Sequence, residues 1–231
     1  MTSEHLQHAR RQRGWSQQQA ARRLGVSQPY LSLLERGRRP VTLALARSAA
    51  RVFALPPTAL LLPDSFRTEV LPSDRELAQD LANLGYPGFA YLRSRRPKKN
   101  PAEVVLVALA KDDLEPRVTE GLPWLLSAYS DWNTDWLVRQ ARLHNLQNRL
   151  GFVVSLARRG AQKSARYGHR VASLLQLEQD LQQSRLARED TLCWASLPEP
   201  RRRWLADNRP HEATYWNLLT NWTPEELRYV A

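Results

Sequence analysis

Cysteine is almost absent from this sequence: Cys193 is the only one among 231 residues. An internal disulfide requires two cysteines, and a zinc site built on paired cysteines requires more, so the sequence excludes both. Long apolar runs are missing as well. No stretch approaches the roughly 18 apolar residues of a membrane-spanning helix, and the N-terminal segment lacks the apolar core of a signal peptide. We therefore expect a soluble, cytoplasmic protein with no membrane partner.

Acidic residues are scarce in the first quarter of the chain. Residues 1–63 contain ten arginines and only two glutamates, which accounts for +8 of the total net charge of +11. Residues 64–231 are close to balanced, at +3. A segment this basic attracts polyanions, and nucleic acid is the usual one. A uniformly basic composition would not explain the asymmetry between the two parts.

The common catalytic patterns are also missing. The sequence contains no HExxH, no GxSxG and no glycine-rich phosphate loop, so we predict no catalytic residue, no metal, no cofactor and no enzyme activity. One exception is Arg139-(x)4-His144, a spacing seen in a class of helical ribonucleases. There the histidine assists proton transfer at the 2′-hydroxyl and the arginine stabilises the phosphate. In a sequence so rich in arginine, a chance match to this short motif is expected.

Cap signals divide residues 1–63 into short helices. Ser, Thr and Gly recur where such helices would begin and end, and Ser16 with Gln19 forms a capping box. The predicted helices run from Glu4 to Arg13, from Ser16 to Leu24, from Gln28 to Arg36, from Thr42 to Phe53, and from Pro56 to Leu62. No strand signal separates them, so this segment is predicted to be entirely helical.

The second and third of these helices form a predicted helix-turn-helix. Gly25 supplies the left-handed backbone that a tight turn between crossing helices requires. Ala20 is small where the two helices would cross. The outward face of the third helix then carries Gln28, Pro29, Ser32 and Leu33.

A longer pattern carries a family resemblance. It reads Arg10-(x)4-Trp15-Ser16-Gln17-(x)2-Ala20-(x)3-Leu24-Gly25-Val26-Ser27-Gln28-(x)2-Leu31-Ser32-(x)2-Glu35-Arg36-Gly37. With these residues at fixed spacing, residues 4–62 resemble the Xre/Cro family of helix-turn-helix domains, which includes phage repressors. The resemblance implies a five-helix fold whose third helix enters the DNA major groove.

The resemblance also implies roles for individual residues. The base-reading set is Ser27, Gln28, Pro29, Ser32 and Leu33, and the phosphate-binding set is Gln17, Arg36, Arg38 and Arg39. Gln28 is the best reader, since its amide can make two hydrogen bonds to adenine. Pro29 and Leu33 replace residues that are often polar in the family, so the operator sequence cannot be transferred by analogy. Arg10 and Glu35 match a structural ion pair between the first helix and the recognition helix.

Residues 64–231 are predicted to be helical too, which makes the whole fold all-α. We divide the chain into a helix-turn-helix domain (1–63), a connecting helix with a basic linker (64–100), and a larger helical domain for dimerisation and for binding an effector or partner (101–231). A capping box at Ser73 and Glu76 begins the connecting helix, which ends near Leu84. Further helices are predicted from Asn100-Pro101 onward and near 116–129, 134–159, 167–188, 198–207 and 211–220, with a final turn at Thr223.

Tryptophan is concentrated in this larger region, where seven of the eight lie after residue 120. Their first expected role is core packing, because large aromatic side chains bury much area each. A small-molecule pocket, or an interface with a second copy or another protein, remains open as an alternative.

These observations favour a sequence-specific transcriptional regulator that acts as a repressor, and its own operon is one candidate target. One helix-turn-helix contacts only a half-site, so we expect a homodimer on double-stranded operator DNA. Two alternatives remain. The architecture is similar to that of antitoxins that neutralise a partner toxin, and the Arg139–His144 motif would fit a helical ribonuclease.

Overall fold

The computed structural model describes residues 3–65 and 70–229. Contacts divide the chain into two compact units, Met1–Asp64 with Pro97–Asn100 and Ser65–Arg96 with Pro101–Ala231. The helix predicted to connect two domains therefore belongs to the second unit. Both units are predominantly helical, and the all-α prediction is confirmed apart from one pair of two-residue strands.

The first unit is built from short helices that begin and end close to the predicted residues. They are α1 (Ser3–Gln12), α2 (Gln17–Leu24), α3 (Gln28–Glu35) and α4 (Leu43–Val52). The Ser16 capping box is present, and Ser27 and Thr42 each accept a backbone N–H from the first turn of the helix they precede. The predicted fifth helix is only a 3-10 helix, Pro57–Ala59, because Leu60 has an extended backbone with ψ 151°.

Small residues let these helices pack closely around a few large side chains. Ala20, Ala46 and Ala49 are fully buried, as are Leu31 and Leu34. Methyl side chains at the crossings bring the helix backbones together, and the leucines fill the space between them. The turn between α2 and α3 depends on Gly25, whose φ of 70° lies in the left-handed region.

The end of the basic linker belongs to the first unit. Asn100 is buried, and its side-chain amide donates hydrogen bonds to the carbonyl oxygens of Thr58 (3.0 Å) and Leu60 (2.8 Å). Residues 97–100 are therefore attached to the short 3-10 helix instead of forming a free linker.

The second unit contains the remaining elements. They are α5 (Asp74–Leu84), a 3-10 helix (Pro87–Leu92), α6 (Pro101–Leu109), α7 (Pro116–Ala128), α8 (Thr134–Leu143), α9 (Gln147–Lys163), a 3-10 turn (Gly168–Arg170), α10 (Val171–Gln182), β1 (Asp190–Thr191), α11 (Glu199–Asn208), α12 (His211–Tyr215), β2 (Leu218–Leu219) and a final 3-10 turn (Pro224–Glu226). Helix α9 is buried on all sides over most of its length and packs against α7 and α10. It is the centre of this unit.

Three predicted helices of the second unit are shorter than expected. The helix predicted over 167–188 is reduced to α10 (Val171–Gln182) with a 3-10 turn before it. The helix predicted over 134–159 is interrupted between α8 and α9, where Asn145 adopts a left-handed backbone with φ 55°. Asparagine tolerates this conformation, and the turn it makes ends a helix without glycine or proline. The helix predicted over 211–220 ends at Tyr215, since Asn217 is also left-handed and β2 follows it.

A buried arginine holds the unpredicted strand pair in place. β1 and β2 pair in parallel, with Asp190 opposite Leu218. The Arg149 guanidinium donates to both carboxylate oxygens of Asp190 (2.8 and 3.0 Å) and to the carbonyls of Leu109 and Lys111. Four hydrogen bonds from one side chain therefore tie α9, the end of α6 and β1 together.

The close packing of α9 also depends on a glycine. The fully buried ring of Trp216 lies directly against the backbone of Gly151. A Cβ atom at position 151 would overlap the ring, and the rigid indole has no space in which to move.

We expect Gly151→Ala to lower the free energy of unfolding of the second unit by about 2 kcal/mol, because overpacking outweighs the small gain in helix propensity. Thermal unfolding followed by tryptophan fluorescence measures the change. Gly168→Ala is the matched control, since a Cβ there meets its nearest neighbour, the Ala161 carbonyl oxygen, at 3.8 Å. Equal stability of the two variants would contradict the packing argument.

Candidate nucleic-acid interface

Helix α3 has one buried face and one exposed end. Leu31 and Leu34 are fully buried beneath it, whereas Gln28 and Pro29 are exposed in its first turn. Ser27, also exposed, fixes the backbone of that turn by capping it. The helix therefore presents its N-terminal residues on a rigid support.

An ion pair joins α3 to α1. Arg10 Nε donates to Glu35 Oε1 at 2.6 Å, and Arg10 Nη2 donates to Glu35 Oε2 at 2.9 Å. The third nitrogen, Nη1, donates to the carbonyl oxygen of Trp15 at 2.9 Å. The Glu35 side chain is completely buried, so its charge depends on this bidentate partner.

The ion pair keeps both groups charged. Burial alone would raise the pKa of the Glu35 carboxyl, but hydrogen bonds from Arg10 and Gln17 outweigh it and hold the pKa below its ordinary value. The hydrogen bond to Glu35 is also the main reason that the pKa of Arg10 is raised.

Two glutamines extend this ion pair toward the exposed end of α3. Gln17 Nε2 donates to Glu35 Oε2 at 2.9 Å, and Gln28 Nε2 donates to Gln17 Oε1 at 2.8 Å. Arg10, Glu35, Gln17 and Gln28 therefore form one continuous chain of hydrogen bonds. The orientation of the Gln28 amide is fixed by a buried charge two residues away in that chain.

The predicted base-reading residues do not all share the exposed face. Ser27, Gln28 and Pro29 are exposed and Leu33 is half-buried, but Ser32 is only 6% exposed. The Ser32 hydroxyl accepts hydrogen bonds from the Arg36 guanidinium, with Nε at 3.2 Å. Ser32 thus orients Arg36 in this structure and is not grouped with the exposed residues.

The predicted phosphate-binding residues lie near the two ends of α3. Arg36, Arg38 and Arg39 are exposed immediately after the helix, and Gln17 is half-buried at the start of α2. Arg38 and Arg39 lie beyond the last turn and follow Gly37, which has a left-handed backbone with φ 70°. Basic side chains therefore lie at the end of α3 opposite Gln28.

The comparison with known families agrees with this geometry. A family model described as Helix-turn-helix matches residues 6–60. Residues 6–60 form an Xre/Cro-type helix-turn-helix domain. Domains of this type bind DNA in transcriptional regulators. No curated protein and no solved structure matches the chain.

Two arginines of the helix-turn-helix domain have structural roles that the sequence did not reveal. Arg13 donates through Nε (3.1 Å) and Nη2 (2.7 Å) to the carbonyl oxygen of Phe53, which closes the end of α4. The Arg23 guanidinium lies 4.2 Å from the centre of the Trp15 ring. The Arg13 contact has no local signal, since Arg13 and its partner are 40 residues apart.

The ribonuclease motif lies outside the helix-turn-helix domain. Arg139 is exposed and lines a cavity of about 510 Å³ beside α8, together with Arg142 and Asp180. His144 ends α8 and is not among the described residues that line this cavity. The Arg-(x)4-His motif therefore stays a prediction.

Residues 3–65 and 70–229 lack two other kinds of feature. Within these ranges no helix combines the length and the apolar character needed to cross a membrane. The same residues contain no group of three His, Cys, Asp or Glu side chains arranged to hold a metal ion.

We expect Glu35→Gln to destabilise the helix-turn-helix domain by about 3 kcal/mol at neutral pH, because Arg10 loses its charged partner. The folded-state pKa of Glu35 is lowered, so its contribution is present above the ordinary glutamate pKa and is lost as the pH falls through the lowered value. The difference between wild type and variant should therefore shrink in acid.

Thermal unfolding followed by circular dichroism, from pH 7 down to about pH 3, tests this expectation. Glu4→Gln is the control, since Glu4 is exposed in α1. A gap between wild type and Glu35→Gln that stays constant across this range would show that the ion pair is not its source.

Proposed function

We propose that this chain is a sequence-specific repressor that reads its operator with the N-terminal residues of α3. The observation that carries the proposal is the hydrogen-bond chain from Arg10 and Glu35 through Gln17 to the exposed Gln28. A reading side chain that is oriented before binding loses little conformational entropy on the DNA, which favours selectivity.

The chemistry of the Gln28 amide supports adenine recognition. A primary amide has two N–H donors and a carbonyl acceptor. Gln17 uses one N–H of Gln28, which leaves the other N–H and Oε1 free for adenine N7 and the adenine 6-amino group. Internal support and base reading therefore use different atoms of the same side chain.

The Gln17 amide also has one hydrogen for internal support and one for DNA. One of its amide hydrogens is directed to Glu35, and the second is available for a phosphate oxygen. The position of Gln17 at the start of α2 adds the positive end of the helix dipole. Exposed Arg36, Arg38 and Arg39 would contact the backbone at the other end of α3.

The size of a single reading helix supports action as a homodimer. One α3 helix spans a half-site, and two copies about 34 Å apart would contact successive major grooves. The larger second unit would carry the dimer contact. The antitoxin role stays a prediction, because it depends on architecture and on no particular residue.

A fluorescence anisotropy titration tests the proposal. The duplex is DNA from upstream of the protein's own gene, with a scrambled duplex and a single half-site as controls, at two salt concentrations. We expect selective binding that falls by about a thousandfold from 50 to 200 mM salt, since arginine–phosphate contacts release counterions. Equal, weak binding to all three duplexes would overturn a self-regulating repressor and favour a partner-dependent role.

We expect Gln28→Ala to weaken operator binding by about tenfold and to relax the preference at one base pair. The change is measured by anisotropy on the operator and on a set of single-base variants. Gln12→Ala is the control, since Gln12 is an exposed glutamine at the end of α1. An equal loss of affinity on all sequences would make Gln28 a non-specific contact.

A further inference from the structure

The second unit contains a cavity that the DNA-binding role does not use. Its volume is about 420 Å³, within the range of small-molecule sites. It is lined by the start of α5, by the first turn of α7 and the segment before it, by the loop after β1, by Leu205 of α11, and by the end of β2 with the chain that follows it. Five separate parts of the second unit therefore meet around one space.

Hydrogen bonds fix the walls of this cavity. The loop after β1 is pinned to the segment before α7, because Leu114 N–H donates to the Cys193 carbonyl (3.0 Å) and Ala195 N–H donates to the Asp112 carbonyl (2.9 Å). The bidentate bond from Arg149 to Asp190 holds β1, from which this loop leaves. A cavity with such walls is formed before any ligand arrives.

The floor of the cavity is apolar and its edge is aromatic. Leu192, Leu205 and Leu219 are buried beneath it, whereas Trp194 is 45% exposed and Trp222 is half-buried. In the described part of the chain, arginines lie over Trp15, Phe89, Tyr167, Tyr215 and Trp204. None lies over Trp194 or Trp222, so the faces of these two rings are not occupied by a cation of the protein itself.

The charge of the lining has one sign. Asp74, Asp113 and Glu115 line the cavity, and no Lys, Arg or His is among the described lining residues. This is unusual for a chain with a net charge of +11. Two of the carboxylates already have partners. Asp74 pairs with Lys111 (2.9 Å), and Asp113 accepts hydrogen bonds from the backbone and hydroxyl of Ser196.

The third carboxylate, that of Glu115, is available to a ligand. Glu115 is exposed at the start of α7, and its side chain makes no cap hydrogen bond and has no ion-pair partner among the described residues. The hydrogen bonds from Ser196 hold the pKa of Asp113 below its ordinary value, so Asp113 adds a second negative charge beside it. Burial raises the pKa of the Cys193 thiol to about 12, so the thiol lining the same cavity is neutral.

We propose that this cavity binds a small organic cation with a planar aromatic ring, in which the ring lies against Trp194 and Trp222 and the ammonium group faces Glu115. An aromatic ring packs favourably against tryptophan faces, and the Glu115 carboxylate attracts the ammonium group. A carboxylate ligand would be repelled by Asp113 and Glu115, so the site discriminates by charge. The inference is independent of DNA binding, because all the lining residues belong to the second unit.

Isothermal titration calorimetry of the full chain tests the proposal with two cationic probes, tryptamine and benzyltrimethylammonium. Indole-3-acetate serves as the anionic counterpart of tryptamine, with the same ring. We expect both cations to bind, and indole-3-acetate to bind at least about tenfold more weakly than tryptamine. Absence of binding by both cations, or equal binding of tryptamine and indole-3-acetate, would overturn the proposal.

Substitutions locate the binding site. Trp194→Leu and Glu115→Gln should each weaken tryptamine binding by about tenfold. Trp204→Leu is the matched control, since Trp204 is equally exposed, at 45%, but does not line the cavity. Glu115→Gln removes an exposed charge and no packing, so it keeps the test valid if Trp194→Leu fails to fold. Unchanged affinity in Glu115→Gln, or equal losses in the two tryptophan variants, would place the cation elsewhere.

Discussion

The organisation of the DNA-binding unit depends on the ion pair between Arg10 and Glu35. A fully buried carboxylate is tolerated only with a close, well-oriented cation, and the guanidinium meets both of its oxygens. Gln17 then bonds to the same carboxylate, and Gln28 bonds to Gln17. A charge inside the protein therefore determines the direction of a side chain on its surface, and α1, α2 and α3 are all linked through it.

The parts of the fold that were predictable from sequence are those that local chemistry determines. Ser16, Ser27, Thr42 and Ser73 each begin a helix through a hydrogen bond within three residues, so the cap residues alone identify these helices. Gly25 is similarly local, because the turn requires its left-handed backbone. The Arg10–Glu35 pair was accessible only through family resemblance, since 25 residues separate the two.

The parts that were missed depend on contacts between distant residues. Ser32 is buried and its hydroxyl accepts hydrogen bonds from Arg36, whereas the helical pattern placed it on the exposed face. The strand pair joins Asp190 to Leu218, and neither two-residue segment has a strand pattern of its own. The cavity lined by Trp194 and Trp222 likewise forms from five separated segments, and the sequence could indicate only that tryptophans were available.

The hydrogen bonds of Asn100 limit where recombination could separate the two units of the chain. The DNA-binding unit is discontinuous in sequence, since the chain leaves it after Asp64 and returns for Pro97–Asn100. A recombination event at residue 64 would transfer residues 1–64 without Asn100. The carbonyl oxygens of Thr58 and Leu60 would then lose the side-chain amide that donates to them. An exchange of the first unit that keeps these hydrogen bonds must therefore transfer residues 1–100, including residues 65–96, which belong to the second unit.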